Sequence, residues 1–181
     1  MENNNKLRIG EHFTYKNREW ICLDYIDGNI FAITAEVYQE IPFDTKNCND
    51  WRKSSVRRVL NSDFLDTLDK DYLAPMKLDL TADNGDKSYG ECEDYVGILS
   101  CDQYRKYRDI VPLFDEWMWT CTPWYCPTPN SSGASSVRYV YPTGNINYDN
   151  AYYSYGVAPA CIVASEHLKL CRQAHLVECD E

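Results

Sequence analysis

The sequence predicts an α+β domain built from short strands and two or three short helices. Near the N-terminus, short apolar runs alternate with Asn, Asp and Gly turns, which is typical of β-hairpins. Over residues 51–68 the apolar side chains recur at intervals of three and four, which indicates a helix. Short alternating runs return after residue 117, so the last third of the chain is predicted to be mostly strand.

The first hairpins are predicted from three apolar runs, at residues 12–15, 20–25 and 30–34. Polar turns separate them, with Lys-Asn-Arg at residues 16–18 and Asp-Gly-Asn at residues 27–29. Asn and Gly tolerate the positive φ angles of tight turns, so these positions favour a small antiparallel meander.

The helical pattern over residues 51–68 fits one amphipathic helix or two short helices with a break near Asn61 and Ser62. Ser54 or Ser55 is placed to cap the first helix and Ser62 to cap the second, because serine side chains accept hydrogen bonds from the first backbone amides.

The middle of the chain mixes strand and helix signals. Residues 76–80 and 95–99 are predicted strands, and the acidic stretch between them is a predicted loop. Ser100 is followed three residues later by Gln103. This capping-box pattern predicts a helix that runs to about residue 110.

Residues 117–164 differ in composition from the rest of the chain. They contain only two formal charges, Arg138 and Asp149, and are rich in Tyr, Ser, Asn, Thr, Pro and Gly. Residues 136–141 and 157–163 are predicted strands within them, and a Pro-Thr-Gly-Asn turn follows the first.

Charge and composition narrow the class of partner. The chain carries 28 acidic and 18 basic residues, a formal net charge of −10, whereas binding to nucleic acid or anionic membranes needs clustered Lys and Arg. No apolar run approaches the ~20 residues that span a bilayer, and the N-terminus lacks the apolar stretch of a secretory signal. We therefore expect no nucleic-acid partner, no membrane insertion and synthesis in the cytoplasm, with association with a virion or cell surface only through a partner.

The cysteines and histidines favour neither a disulfide framework nor a metal site. Nine cysteines at irregular spacing indicate reduced, mostly buried thiols. In the C-terminal tail, neighbouring pairs at four-residue spacing share a helix face, but the whole set extends over roughly 18 Å of helix, too far for one zinc ion. An amphipathic tail is therefore favoured over a metal site. The residues of this set are His167, Cys171, His175 and Cys179.

An acidic cluster in the middle of the chain raises the possibility of calcium binding. It lacks the D-x-[DN]-x-[DN]-G pattern of an EF-hand loop, so a solvated charge run is the favoured interpretation and no metal is predicted. Its members are Asp79, Asp83, Asp86, Glu91, Glu93 and Asp94.

No catalytic motif is found. The sequence contains no G-x-S-x-G, P-loop, G-x-G-x-x-G or H-E-x-x-H pattern, and its three histidines all lie outside residues 117–164. Cys121 and Cys126 have only neutral neighbours in sequence, whereas a cysteine nucleophile needs a base or positive charge nearby. We predict a non-enzymatic protein without a cofactor; a cysteine-dependent or hydrolytic enzyme is the alternative.

Residues 145–155 read N-I-N-Y-D-N-A-Y-Y-S-Y and form the main candidate binding segment. Tyrosine offers a rigid ring with a hydroxyl, and Asn, Ser and Gly offer adaptable hydrogen bonds, the same mixture that antibody paratopes use. The alternative is a β-rich segment whose tyrosines pack half-buried against neighbouring strands. Arg138, Tyr139 and Tyr141 would line the same surface, depending on strand register.

Five motifs occur in an order that resembles a known family. They are W-R-K-S-S-V-R-R-V-L-N-S-D-F, D-Y-V-G-I-L-S, W-M-W-T-C-T-P-W, S-S-V-R-Y-V-Y-P-T-G-N-I-N and S-Y-G-V-A-P-A-C-I-V, within about residues 8–164. The chain resembles an uncharacterised bacterial and phage domain family that is related to C-type-lectin-like folds of the formylglycine-generating-enzyme type. Members similar to the C-terminal part are the variable proteins of diversity-generating retroelements.

The resemblance implies a C-type-lectin-like mixed fold of short antiparallel strands, with one ligand-binding domain over residues 1–164 and a tail over residues 165–181. Its variable-type segment covers about residues 119–160, where an error-prone reverse transcriptase would alter template adenines. Asparagine codons altered in this way encode Tyr, Asp, Ser, Ala, Gly, Thr, Pro or Cys. The implied ligand-binding residues are Tyr125, Pro127, Asn130, Ser131, Ser132, Gly133, Asn147, Tyr148, Asp149, Asn150, Tyr152 and Tyr153.

Framework residues lie between these permissive positions, as a variable surface on a rigid scaffold requires. They are Val137, Val140, Pro142, Gly144, Gly156, Val157 and Pro159.

The chain departs from the family pattern at two motifs. An arginine common in the family is replaced by Ala158, and residues 120–123 read T-C-T-P instead of the usual R-S-P or R-T-P. No calcium-dependent sugar-binding tripeptide is present, so the fold by itself does not imply lectin activity. The function that the resemblance implies is recognition of a protein or other macromolecule. A phage or cell-surface structural component of fixed specificity is a further alternative.

Overall fold

The computed structural model describes residues 6–129 and 134–166. Within them the protein is mostly β-structure with a few short helices. The strands are β1 (His12–Tyr15), β2 (Arg18–Ile26), β3 (Asn29–Thr34), β4 (Gln39–Pro42), β5 (Leu73–Ala74), β6 (Met76–Asp79), β7 (Glu91–Asp94), β8 (Val96–Gly97), β9 (Met118–Pro123), β10 (Ser136–Val140), β11 (Ile146–Asn150), β12 (Ser154–Val157) and β13 (Ala160–Val163).

The strands form two main sheets and one separate pair. The first sheet has the order β1-β2-β3-β13-β5, and β8 also pairs with β13. The second sheet has the order β11-β10-β9-β12-β4, so β11 and β4 are its edges, while β6 and β7 pair with each other. Pairing is antiparallel throughout the described residues except for a single parallel contact between β12 and β9.

The N-terminal hairpins confirm the predicted meander. Lys16 and Asn17 both adopt positive φ angles, 51° and 56°, in the two-residue turn between β1 and β2. Asp27 and Gly28 do the same between β2 and β3, with φ of 50° and 81°. Positive φ at both turn residues matches the twist of the flanking strands, which is why these short polar pairs predict hairpins.

Two short α-helices begin at predicted caps. Ser54 accepts a hydrogen bond from the Arg57 amide (3.0 Å), and Ser100 and Gln103 form a reciprocal capping box. The second helix ends earlier than predicted, because Tyr107 leaves the helical region (φ −105°, ψ 16°). The helical segments are α1 (Ser55–Val59), α2 (Cys101–Lys106), a π-helical turn (Leu60–Phe64) and 3₁₀ turns (Trp51–Lys53, Leu65–Thr67, Lys70–Tyr72).

Of the two alternatives for residues 51–68, the structure favours a continuous helical segment over a break near Asn61 and Ser62. The chain continues from α1 into the π-helical turn without interruption. The side chain of Asn61 binds the backbone of Val96 twice. Its Nδ2 donates to the Val96 carbonyl (2.8 Å) and its Oδ1 accepts from the Val96 backbone amide, so Asn61 holds the helical segment against β8. Ser62 caps no helix; its hydroxyl donates to the Arg58 carbonyl (2.6 Å).

Two strand predictions also need correction. The acidic stretch after residue 80 is not all loop, because its last four residues form β7 opposite β6. Residues 157–163 are not one strand: β12 ends in the second sheet and β13 begins in the first. Pro159 lies at the crossing, where it has no amide to donate and its carbonyl accepts from the Thr34 amide (2.9 Å).

Large aromatic side chains join the two sheets and the helical segment in one core. The Phe43 ring lies 6.2 Å from Trp51 and 5.9 Å from Trp119. Trp20 of the first sheet lies 6.2 Å from Phe64 of the π-helical turn. All five side chains are fully buried, so the second sheet is fixed against the rest of the protein.

No helix among residues 6–129 and 134–166 is both long enough and apolar enough to cross a membrane.

Candidate binding surface

The segment between β9 and β10, residues 124–135, is held near both of its ends by one buried asparagine. The side-chain amide of Asn49, which is fully buried, donates to the carbonyls of Tyr125 and Ser136, both at 2.9 Å. Its backbone amide donates to the Ala134 carbonyl (3.0 Å), and the Tyr89 hydroxyl donates to its side-chain oxygen (2.8 Å). Asn49 therefore fixes the two ends of this loop next to each other.

The β10–β11 hairpin carries four of the predicted ligand-binding residues, at 147–150, and is clamped at its turn. Gly144 has a φ of 79°, and its carbonyl accepts from Arg108 Nη1 (2.6 Å). A Cβ atom at this position would lie 2.8 Å from the Arg108 guanidinium and 3.0 Å from the Tyr104 hydroxyl. The turn therefore requires glycine, and α2 and the residues just after it hold the hairpin in place.

Strand alternation divides the predicted residues between two sides of the second sheet. Tyr139 pairs with Asn147 and Arg138 pairs with Tyr148. Neighbouring residues in a strand point to opposite sides, so Asn147 and Asp149 share the side of Tyr139. Tyr148 lies on the other side. The predicted residues thus form two surfaces, not one.

On the Tyr139 side, six rings form a continuous group that we call the ring cluster. Trp117 stacks on Tyr139 with centroids 5.2 Å apart and 6° between the ring planes. Tyr141 and Tyr155 pack against Trp117 at 4.9 and 5.0 Å. The group continues to the turn after β11 through two further ring contacts. Its members are Trp117, Tyr139, Tyr141, Tyr152, Tyr153 and Tyr155.

The ring cluster extends from the core into solvent. Tyr139 is 2% exposed, and it packs on buried Trp119 at 6.1 Å. Trp117, Tyr152 and Tyr153 are 38%, 47% and 43% exposed. The outer rings therefore rest on a buried base, and binding would need little further ordering of the inner rings.

Polar contacts fix two of the hydroxyl groups. The Tyr155 hydroxyl donates to Asp149 Oδ2 (2.6 Å), and Asn147 Nδ2 donates to the Tyr141 hydroxyl (3.2 Å). Burial and the bond to Asp149 raise the pKa of Tyr155 above its usual range. Burial likewise raises the pKa of Tyr139. Both shifts favour the neutral phenol, so these hydroxyl groups remain hydrogen-bond donors.

The opposite side of the hairpin carries a smaller aromatic group. Tyr148 stacks on Trp124. The Arg138 guanidinium lies 6.0 Å from Trp124 and 5.8 Å from Tyr148, and it forms an ion pair with Asp83. Of the three residues considered for one shared face, Tyr139 and Tyr141 lie in the ring cluster and Arg138 does not.

The other predicted residues lie around this hairpin. Tyr125 is half-buried with its carbonyl bound to Asn49, and Pro127 is exposed. Asn150 is half-buried and accepts from the Ser135 hydroxyl (3.0 Å). Four predicted residues lie outside the described residues: Asn130, Ser131, Ser132 and Gly133.

Comparison with known proteins identifies a family. The model of the family described as "Domain of unknown function (DUF6273)" matches residues 27–165. The chain belongs to this family. No curated protein and no solved structure matches the chain. The DUF6273 match contains the ring cluster, the hairpin and Asn49, so the whole candidate surface lies within the family domain.

The sequence pattern missed two important residues of the DUF6273 domain. Trp117 is central to the ring cluster. The sequence signal that could have identified it is an aromatic pair two residues apart, Trp117 and Trp119, which has a counterpart in Tyr139 and Tyr141. That spacing places each pair on one side of a strand. Asn49 had no such signal, because its partners Tyr125 and Ser136 are 76 and 87 residues away in sequence.

The acidic cluster is used for ion pairs in the described part of the chain. Asp83 pairs with Arg138 and Arg105, and Asp94 pairs with Arg57. Among residues 6–129 and 134–166, no group of three or more His, Cys, Asp or Glu side chains could hold a metal ion. The predicted tail set lies outside the described residues: His167, Cys171, His175 and Cys179.

One edge of the second sheet is formed by β11. The Tyr141 amide donates to the Asn145 carbonyl across the hairpin, which sets the alternation of backbone hydrogen bonds along the strand. The amides of Tyr148 and Asn150 therefore point away from β10. Such amides can pair with the edge of another chain.

Side chains already satisfy both of these amides. The Tyr148 amide donates to Asn147 Oδ1 (2.9 Å), and the Asn150 amide donates to Asp149 Oδ1 (2.7 Å). Asn147 and Asp149 thus support the ring cluster and cap the sheet edge at the same time.

Replacing Asn147 and Asp149 together with alanine is expected to promote self-association, because it uncaps two amides and removes a charge from the edge. Sedimentation velocity should show a mass that rises with protein concentration. Asn150→Ala, on the same strand but capping no amide in the described residues, serves as the control. A double variant that stays as monodisperse as the wild type would contradict the capping role.

Proposed function

We propose that this DUF6273 protein is a non-enzymatic binding protein that recognises a protein ligand through the ring cluster. One observation carries the proposal. Eight large hydrophobic side chains are exposed in the described residues, and three of them, Trp117, Tyr152 and Tyr153, belong to this single cluster. Contiguous exposed rings beside polar groups are typical of interaction sites.

The chemistry of the cluster suits recognition. Tyr and Trp dominate binding hot spots because each buries a large rigid area with few rotatable bonds. Asn147 and Asp149 add hydrogen-bonding groups at the rim of the rings. The buried base beneath Tyr139 limits the entropy lost on binding.

We also propose the finer assignment, a C-type-lectin-like variable protein of a diversity-generating retroelement. The burial pattern supports it. The permissive positions of β11 and the following turn are all at least partly exposed: Asn147, Tyr148, Asp149, Asn150, Tyr152 and Tyr153. Six of the seven framework positions are buried: Val137, Val140, Gly144, Gly156, Val157 and Pro159. Such a surface would tolerate substitution without loss of the core.

Sequencing the DNA that flanks the gene tests this assignment. The expected result is a near-copy of the stretch that encodes residues 119–160, differing only where the copy carries adenine, beside a reverse-transcriptase gene. Absence of such a copy would overturn diversification and leave a binding domain of fixed specificity, as in a phage or cell-surface component.

The rival hypothesis, a cysteine-dependent enzyme, requires a thiol with a lowered pKa. Seven cysteines are described and all are free thiols. Burial raises the pKa of Cys22 to about 11 and also raises the pKa of five others. Those five are Cys92, Cys101, Cys121, Cys126 and Cys161.

We therefore expect slow alkylation of these six thiols in the native protein. With iodoacetamide near pH 8, followed by peptide mass spectrometry, each should react more slowly than the same cysteine in the unfolded chain. The unfolded protein in denaturant is the internal control. One native thiol reacting far faster than its unfolded counterpart would favour the enzyme instead.

A further inference from the structure

Acidic residues lie next to the ring cluster, in space or in sequence. Asp149 lies among the rings through its bond to Tyr155. Asp115 and Glu116 are exposed immediately before Trp117. Across residues 117–164 the one basic residue is Arg138, which lies on the opposite side of the hairpin and is bound to Asp83.

Elsewhere the protein covers aromatic rings with its own cations, but not here. Nine cation–π contacts occur among the described residues, for example Lys6 over Tyr25 and Lys70 over Tyr95. None of the nine involves a ring of the ring cluster. Within residues 6–129 and 134–166, Asp149 also takes part in no salt bridge.

We propose that the ring cluster receives lysine or arginine side chains from a basic segment of the partner protein, with Asp149 as their counter-ion. This inference rests on the proposed binding function and names the chemistry of the partner. Ring faces attract cations within about 6 Å of the centroid, and a planar guanidinium also stacks on them. The net charge of −10 attracts a basic partner at long range.

Other occupants fit less well. An acidic segment would meet Asp149 and the two exposed carboxylates of Asp115 and Glu116 without a compensating cation. A neutral glycan would stack on the rings, but it would leave the charge of Asp149 unmatched. A basic segment matches both the rings and the charge, so it is the occupant that the surface favours.

The test uses the full chain and three synthetic peptides with one Gly-Ser backbone that carry Arg, Gln or Glu at the same positions. The readout is the NMR signal of the Trp117 indole N–H, assigned with Trp117→Phe. The Arg peptide should shift this signal and bind about tenfold more tightly than the Gln peptide. Binding should weaken as salt is added, because exposed charges are screened.

Matched variants test which acidic side chains strengthen binding of the Arg peptide. Asp149→Asn removes the charge, while its one oxygen can still accept from the Asn150 amide and its NH2 group can donate to the Tyr155 hydroxyl. It should weaken Arg-peptide binding roughly threefold to tenfold, with little change for the Gln peptide. The double variant Asp115→Asn, Glu116→Gln changes only exposed side chains and should weaken the Arg peptide in the same direction. Asp66→Asn removes one exposed charge from a 3₁₀ turn outside the second sheet and should have no effect.

Four results would overturn the inference, and a fifth would overturn the proposed function. Equal binding of the Arg and Gln peptides would do so, as would tighter binding of the Glu peptide. A shift of the Trp117 signal by a neutral sugar, maltohexaose, without any shift by the Arg peptide would assign the rings to glycans. Peptides selected from a random library that bind the ring cluster but lack Lys and Arg would contradict only the charge preference. Selected peptides whose binding is insensitive to every ring-cluster variant would contradict the proposed function itself.

Discussion

Replacing Asn49 with alanine is expected to destabilise the protein by roughly 3 kcal/mol, because the three hydrogen bonds made by its fully buried side chain are lost. The carbonyls of Tyr125 and Ser136 and the hydroxyl of Tyr89 all bind this one side chain. For a chain of this size the melting temperature should fall by about 6–12 °C. Thermal unfolding followed by circular dichroism measures the change.

Two further variants test whether the lost hydrogen bonds of Asn49 cause the destabilisation. Asn49→Asp keeps the acceptor for Tyr89 but removes both donors and adds a buried charge, so it should be no more stable than the alanine variant. Asn145→Ala changes an exposed asparagine of the hairpin turn and should alter the free energy of unfolding by less than about 0.5 kcal/mol. A melting temperature for Asn49→Ala close to that of the wild type would show that the loop is held by other contacts.

Replacing Asp94 with alanine is expected to cost about 3 kcal/mol, because it breaks a mostly buried ion pair and a buried hydrogen bond. Asp94 is 7% exposed and binds the Arg57 guanidinium through both carboxylate oxygens, at 2.7–3.0 Å. It also accepts from the indole N–H of fully buried Trp51 (2.8 Å). Urea unfolding gives the free-energy change directly.

Asp102→Ala is the matched control. Asp102 also binds an arginine, Arg105, at 2.7 Å, but its side chain is 91% exposed. An exposed pair contributes about 0.5 kcal/mol or less, because water and salt screen it. Asp94→Asn keeps one acceptor for Trp51 and should fall between the two. Equal effects for Asp94→Ala and Asp102→Ala would contradict the assignment of Asp94 as a buried link between α1 and β7.

Local features of the fold could be predicted from sequence because their causes are local. The turns at Lys16-Asn17 and Asp27-Gly28 need positive φ, and the capping box needs only Ser100 and Gln103. Six of the seven predicted strand runs agree with observed strands to within two residues at each end. These signals depend on neighbours in sequence.

The arrangement of the site could not be predicted in the same way. Whether Tyr148 shares a side with Tyr152 and Tyr153 depends on strand register, and a shift of one residue reverses every side chain. The crossing at Pro159 splits one apparent apolar strand between two sheets. Both facts follow only from long-range pairing, as does the role of Asn49.

The claim that the protein binds its ligand through the ring cluster is tested most directly by comparing the Kd of ring-cluster variants with that of the wild type. Peptides selected from a random display library on the immobilised wild-type protein serve as ligands, and calorimetry gives their Kd. Tyr152→Ala combined with Tyr153→Ala should weaken binding at least ~tenfold with a melting temperature within a few degrees of the wild type. Tyr72→Ala, an exposed tyrosine in a 3₁₀ turn, should leave the Kd unchanged. Binding through the ring cluster would be contradicted if the double variant kept the wild-type Kd, or if Tyr72→Ala weakened binding as much as the double variant does.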